Sequence, residues 1–407
     1  KVTFVTILKA CSTLGAWSQG RKVHTVIAER GIHLDVFVGS VLIDMYAKCG
    51  AIHDARHVFS TISKQDVVVW NAMISACSHY GLAEDVFELY QSMLDQGILP
   101  DSITFISIIK VCSILSPNHG RSIHTYVCRY GFDREVSVGN SLIDMYMNCK
   151  CVADAFQVFG LMPLRDVVTW SSLIAGYAEG GRIQEAFQLF CNMQKDGVEP
   201  NEVTYLSMVK LCSDPACFSQ GQLIHGCLIE SDHDGDECIK SSLIEMHAKC
   251  GRFKDASHIF YKGEKKDVVV YGTMLAACSE NRDFESATHY FEAMKQDSLN
   301  PDATAFVSLL SACSQEGLVE NGFDIFGSIK GFCSFMPSIH IYNCVIDLLA
   351  RAGCVLEAID LILSLPFDSN SLGWTSLLEH CKTHGHTRLG KDCFKLLLGM
   401  EGDYTTA

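Results

Sequence analysis

Residues Leu42 to Gly50, LIDMYAKCG, return as LIDMYMNCK from Leu142 to Lys150, as LIEMHAKCG from Leu243 to Gly251, and more loosely from Val345 to Gly353. A second block, DVVVW at Asp66 to Trp70, matches DVVTW at Asp166 to Trp170 and DVVVY at Asp267 to Tyr271. A third runs from Val2 to Cys11 and recurs at Ile103 to Cys112, at Val203 to Cys212 and, degraded, at Thr304 to Cys313. Each block comes back every 100 to 102 residues. A period of this kind overrides any domain count based on length alone. Cutting before the recurring acidic residues splits the period into three related, unequal repeats: 35–65, 66–100 and 101–134, then 135–165, 166–200 and 201–235, then 236–266, 267–301 and 302–338. Residues 1–34 form a slightly shortened first repeat, 339–370 an eleventh, and 371–407 a related final one.

Each repeat reads as two amphipathic helices. In 82–94, Leu82, Ala83, Val86, Phe87, Tyr90, Met93 and Leu94 follow the spacing of one apolar stripe. The preceding helix spans about 67–79, with Gly81 at the turn. Gly50 and Gly251 end first helices, where a left-handed C-cap favours glycine, and Pro100, Pro200 and Pro301 close repeats. A two-helix repeat cannot bury its stripe alone, so the repeats must stack into an all-α solenoid. Apolar residues at 48% exclude a disordered chain, and no apolar run is long enough to span a membrane. The 20 cysteines include no C-x-x-C pair, the closest being Cys149/Cys151 and Cys212/Cys217. Seven of the 20 fall into two registers, 11, 112, 212 and 313, then 49, 149 and 250. That fits reduced core thiols better than disulfides or structural zinc.

These residues resemble the pentatricopeptide repeats of the plant organellar subfamily that alternates standard, long and short motifs. Asp66 to Ile74 resembles the start of a standard motif, Val2 to Ser12 with Gly20 to His24 a long one, and Val36 to Gly50 a short one. The resemblance covers essentially the whole chain and implies a right-handed superhelix of stacked helix-turn-helix repeats. Ala350 to Gly353, Pro366-Phe367, Gly373 to Leu378 and His384-Gly385 look like the last short motif followed by a first extension motif. In that subfamily a second extension and often a cytidine deaminase domain follow. The chain ends at Ala407, about where the second extension is expected, and carries no H-x-E with P-C-x-x-C. It begins at Lys1 without a signal peptide, which reads as an internal fragment lacking any targeting segment. With no P-loop, dinucleotide fingerprint or metal-ligand cluster, the expectation is a non-enzyme without cofactor or metal.

The family reads single-stranded RNA one base per repeat from its first helices, which line the concave face. The resemblance assigns base reading to the fifth residue after each repeat-initial acid, paired with the residue that opens the next repeat. Donor and acceptor edges differ among bases, so two side chains can discriminate them. Ser40 with Asp66 resembles a guanine pair, as does Ser241 with Asp267. Asn71 with Asp101 and Asn140 with Asp166 resemble uracil pairs, and Ser171 with Asn201 an adenine pair. Asn343 with Asn370 suggests cytosine, or uracil second; Gly272 with Asp302 has no reading side chain. The long repeats carry Val5, Ile106, Leu206 and Val307, which cannot hydrogen-bond a base edge. They are expected to space the others, or to dock small plant editing-cofactor proteins. The implied target is 5′-N-G-U-N-U-A-N-G-(G/N)-N-(C/U), with an edited cytidine a few nucleotides downstream.

Phe37, Val68, Ile103, Val168, Val203 and Val269 stand where family members sandwich bases, although the same residues would also suit a helix-start core. The recurring Asp residues equally suit helix N-caps, which leaves the Asn and Ser register unexplained. Lys9, Lys110 and Lys210 share one register, and Lys48 and Lys249 another. They are either phosphate contacts or solvated cations near helix C-termini. The net charge of −15 argues against strong non-specific RNA binding, so any basic groove must be local. Asp232 to Asp236, DHDGD, reads as an acidic inter-repeat turn rather than a calcium loop, and His24, His124 and His225 share a structural register. The expected partners are organellar RNA, the docking cofactors and a deaminase in trans, in a mitochondrion or chloroplast. The competing class is a protein-binding helical scaffold of the tetratricopeptide type, favoured by the acidity, but W-x-x-L-G-x-x-Y is missing.

Overall fold

The structure is a computed structural model, and it describes residues 2–30, 36–231, 236–263, 266–332, 337–365, 371–383 and 385–402. Among the described residues the chain is all-α, with 24 α-helices, a 3-10 turn at Pro215–Cys217 and no strand. Each interval cut from the sequence contains two of the α-helices. The chain divides into two compact halves, Lys1–Thr204 and Tyr205–Ala407, each a run of stacked helical hairpins. In the 66–100 repeat the helices are Val67–His79 and Ala83–Asp95. No described helix is long and apolar enough to cross a membrane.

The first helices carry the core. In the N-terminal half Val36–Lys48 buries Leu42, Ile43, Met45 and Tyr46, and Val67–His79 buries Val69, Trp70, Met73, Ile74 and Cys77. Each such side chain is worth about 1.5–3 kcal/mol on leaving water. An aromatic pair joins consecutive short and standard repeats. Phe59 meets Trp70 edge-on at 4.9 Å and Phe159 meets Trp170 at 4.7 Å. In the C-terminal half Phe260 meets Tyr271 at 5.1 Å.

The two cysteine registers meet across the long–short boundary. Cys11, Cys112, Cys212 and Cys313 are buried. Their partners Cys49, Cys149 and Cys250 place Sγ 3.8–3.9 Å from the carbonyl oxygens of Cys11, Cys112 and Cys212. Burial pushes the Cys112 and Cys212 thiols up to about 12, so these groups pack as small hydrophobes. Every described cysteine is a free thiol. The histidine register ties the same boundary. His24 Nδ1 lies 2.9 Å from the Tyr46 hydroxyl and His124 Nδ1 2.9 Å from that of Tyr146. In the third triplet the tyrosine is replaced, and His247 Nε2 meets His225 Nδ1 at 3.2 Å.

Most first helices end in left-handed residues, those of the 101–134 and 201–235 repeats excepted. Gly50 and Gly251 have φ +83° and +71°. Gly50 N–H donates to Ala47 O and Ala51 N–H to Tyr46 O, which closes the last turn. Lys150 holds the same place at φ +59°, with the same two bonds to Met147 and Tyr146. A side chain in that region costs roughly 1–2 kcal/mol. The Lys150–Glu179 ion pair, 3.6 Å long and exposed, returns little of it. Lys150→Gly is therefore expected to stabilise the chain by about 1 kcal/mol. The check is the midpoint of thermal or urea unfolding followed by circular dichroism.

Candidate nucleic-acid interface

The acid that opens a repeat is the N-cap of its first helix. Asp66 accepts from the N–H groups of Val68 and Val69, and Asp267 and Asp302 from those of Val270 and Ala305. Asp101 and Asp166 form capping boxes with Thr104 and Thr169. Capping therefore accounts for the acids, and the structure adds a second role. Asp101 also reaches back to the preceding repeat, where Asn71 Nδ2 donates to its Oδ1 at 2.8 Å and its Oδ2 at 3.0 Å. Asn140 Nδ2 donates to Asp166 Oδ1 at 3.1 Å, and the Ser171 hydroxyl donates to Asn201 Oδ1 at 3.2 Å. Three of the residue pairs expected to read bases are thus joined.

Two others are not. The Ser40 hydroxyl donates to Phe37 O and that of Ser241 to Glu237 O, within their own helices rather than to Asp66 and Asp267. Asn343 buries its Oδ1 without a hydrogen-bond donor, and Asn370 lies outside the described residues. Asp232 to Gly235 of the acidic turn also lie outside them, while Asp236 caps Glu237–Lys249. Val5 is buried, and Ile106, Leu206 and Val307 are partly so.

Three threonines escaped the sequence reading. Thr104, Thr169 and Thr204 are each fully buried at the third position of a first helix. The Thr104 hydroxyl donates to Asn71 Oδ1 and that of Thr169 to Asn140 Oδ1, both at 2.6 Å; Thr204 Oγ1 lies 2.6 Å from Ser171 Oγ. The signal was the spacing D/N-x-x-T at 101–104, 166–169 and 201–204.

The six residues expected to sandwich bases are not core. Phe37, Val68, Ile103, Val168, Val203 and Val269 are 49–62% exposed, large apolar surfaces at the start of helices. Two of them flank a cleft of about 250 Å³ in the N-terminal half, lined by Val168, Val203, Ser171 and Asn201. The corresponding cleft of the C-terminal half, about 390 Å³, is lined by Val268, Val269, Gly272 and Asp302. Its greater volume matches the missing side chain at Gly272.

Charge around these clefts is mostly negative. Asp144 and Glu179 line the first, and Glu245 and Glu280 the second. Burial, with Glu179 adding to it, raises the Asp144 carboxyl above its ordinary value. Lys48 and Lys249 are ion-paired one turn back through exposed side chains, with Asp44 at 3.0 Å and Glu245 at 2.6 Å. Lys110 and Lys210 sit in last helical turns and Lys9 within Val2–Leu14; none has a carboxylate partner among the described residues.

A stack of helical hairpins whose consecutive first helices present exposed apolar side chains beside cross-repeat polar pairs defines a modular repeat scaffold. The sequence pattern of the PPR repeat family matches residues 65–113, 165–214 and 266–326, and that of the PPR repeat matches 140–167 and 340–365, together just over half the chain. The chain belongs to the pentatricopeptide repeat family. It is 33% identical to the Arabidopsis thaliana protein CRR2, chloroplastic, over 98% of this chain and 62% of that protein. A mitochondrial pentatricopeptide repeat-containing protein of the same plant is 32% identical over 98% of this chain and 58% of its own length. The chain thus spans about three-fifths of these relatives. The crystal structure of maize PPR10 matches at TM-score 0.71 with 18% identity, over 98% of this chain and 58% of that one. PPR10 in complex with an 18-nt psaJ RNA element matches at 0.58 with 15% identity, over 98% and 64%. Both likenesses are of fold.

Asp166 offers a pH test. Burial pushes its carboxyl up, but donors from Thr169 N–H, Asn140 and Val168 N–H outweigh that and hold it below the ordinary value. A depressed carboxyl contributes stability above the unfolded value of about 3.9 and loses it as pH falls through the folded one. Asp166→Asn keeps a competent cap but removes the titration. Thermal midpoints between pH 7 and pH 2.5 should show wild type above the variant at neutral pH, with the gap closing below about pH 4.

Proposed function

We propose that the chain is the sequence-specific, single-stranded RNA-binding module of a plant organellar C-to-U editing factor, reading one base per repeat. The observation that carries this is the cleft in which the exposed Val168 and Val203 flank the hydrogen-bonded Ser171 and Asn201. An apolar wall on each side suits the faces of an unstacked base, and a polar floor suits its edge. The ordered alternation of standard, long and short repeats supports the editing subfamily, with 371–407 as its first extension motif. Deamination is supplied by a C-terminal domain or by a deaminase in trans. Small editing-cofactor proteins dock on long repeats such as 201–235. The names of the chloroplastic and mitochondrial relatives support an organelle as the place of action. A protein-binding scaffold without RNA readout leaves both the exposed apolar register and the polar pairs without a role.

Two measurements test the proposal. The RNA 5′-N-G-U-N-U-A-N-G-(G/N)-N-(C/U) should bind more tightly than a scrambled RNA of equal length and salt; equal binding sinks the reading. Asn71→Ser recreates the Ser–Asp combination of the 35–65 repeat, and should move preference at that base from uracil towards guanine by roughly tenfold. An unchanged base profile, read from four RNAs differing at that position, counts against the register.

A further inference from the structure

We infer that Thr104, Thr169 and Thr204 are positioning residues that set how sharply a repeat discriminates its base. The inference rests on the base-reading proposal above. Each threonine belongs to one repeat and acts on the reading side chain of the repeat before it.

Asn71 shows how. An ionised Asp101 can only accept, so it draws the Asn71 amide nitrogen towards it, at 2.8 and 3.0 Å. The amide oxygen then faces the Thr104 hydroxyl, which donates at 2.6 Å. That hydroxyl is itself oriented, because it accepts from Asp101 N–H at 3.1 Å. Two anchors on opposite ends of the amide fix its plane. One N–H and one oxygen lone pair of Asn71 remain for a base, pointing in set directions. Asn140 is held in the same manner by Asp166 and Thr169. The Ser171 and Thr204 hydroxyls meet at 2.6 Å, a contact to which either can donate.

The rest of the chain supplies controls. Where the third position is Val69 or Val270, the preceding reading residues Ser40 and Ser241 meet their own helix carbonyls and no hydroxyl at that position, whereas Ser171, which also meets Val167 O, has the Thr204 hydroxyl across the boundary. Where it is Ala305, the preceding reading residue is Gly272. After the apolar Val5, Ile106 and Leu206, it is the buried Val38, Val138 and Ile239. A threonine here never follows an apolar reading residue. A cap alone does not demand this, because Asp66, Asp267 and Asp302 cap their helices without a threonine. Selectivity should therefore be sharpest opposite Asn71, Asn140 and Ser171, and duller opposite Ser40 and Ser241.

The test uses the whole chain and single-stranded RNAs of the proposed sequence that differ only opposite Asn71. Thr104→Val should lower the preference for uracil over the other bases by roughly three- to tenfold, and Thr104→Ser should restore it. A threonine that serves only the helix end would lower the thermal midpoint and weaken all four RNAs alike. An unchanged preference in Thr104→Val overturns the inference. Should that variant not fold, Val69→Thr decides, measured with RNAs that differ opposite Ser40. A gain in guanine preference by a similar factor supports the inference, and no gain overturns it. A wild-type chain without preference at either base overturns the base-reading proposal, and the inference with it.

Discussion

No repeat of this chain completes itself. The apolar stripe of each first helix is covered by its own second helix and by the first helices beside it, so the large buried side chains recur in register: Trp70, Trp170 and Tyr271, or Phe105 and Phe306. The same dependence governs the polar atoms. Asn71 is almost buried at 6% exposure, and its hydrogen bonds come from the cap of the following repeat. An amide left in that position without partners would cost about 1–3 kcal/mol. The geometry of a side chain proposed to read a base is thus fixed by its successor, and on that proposal a repeat taken alone does not contain its own specificity.

The N-cap is the hinge of this arrangement because one carboxylate satisfies two demands. Its helix needs acceptors for the first free N–H groups, and a carboxylate has more acceptor positions than they use. The surplus faces backwards, to Asn71 from Asp101 and to Asn140 from Asp166. At Asp66 no such backward bond forms: the Ser40 hydroxyl donates to Phe37 O, and Val69 offers no hydroxyl across the boundary. Length of the reading side chain and identity of the third residue therefore act together.

Much of this was legible in the sequence. The 100-residue period fixed the cut points, and the helices Val67–His79 and Ala83–Asp95 lie within one residue of the stripe that suggested them. The register also brought Asn71 to Asp101 and Ser171 to Asn201 as partners. What it left open was exposure: Val68 and Val168 follow a cap and precede a core tryptophan, and apolar character alone does not say which face they occupy. The ion pairs of Lys48 and Lys249 were within reach, since Asp44 and Glu245 stand four residues earlier, the spacing that pairs charges on a helix. Thr104, Thr169 and Thr204 were hidden by their ordinary role. A capping-box threonine is expected to look towards its own cap, and only the structure reveals the reading side chain on its other side.

The acidity of the chain also acquires a place. Asp144 and Glu179, and Glu245 and Glu280, line the two clefts that the proposed reading gives to bases. A phosphate brought to such a wall meets repulsion in a setting less screened than open water. The bases of a bound strand can approach edge-first, because neutral edges carry no such penalty, while the backbone stays outside. The apolar pairs such as Val168 and Val203 then supply the attraction that fixed positive charge does not. A strand without the right edges gains stacking but no compensation for crowding its phosphates against carboxylates. On the proposed reading, the negative charge thus works against the wrong sequence more than against the right one.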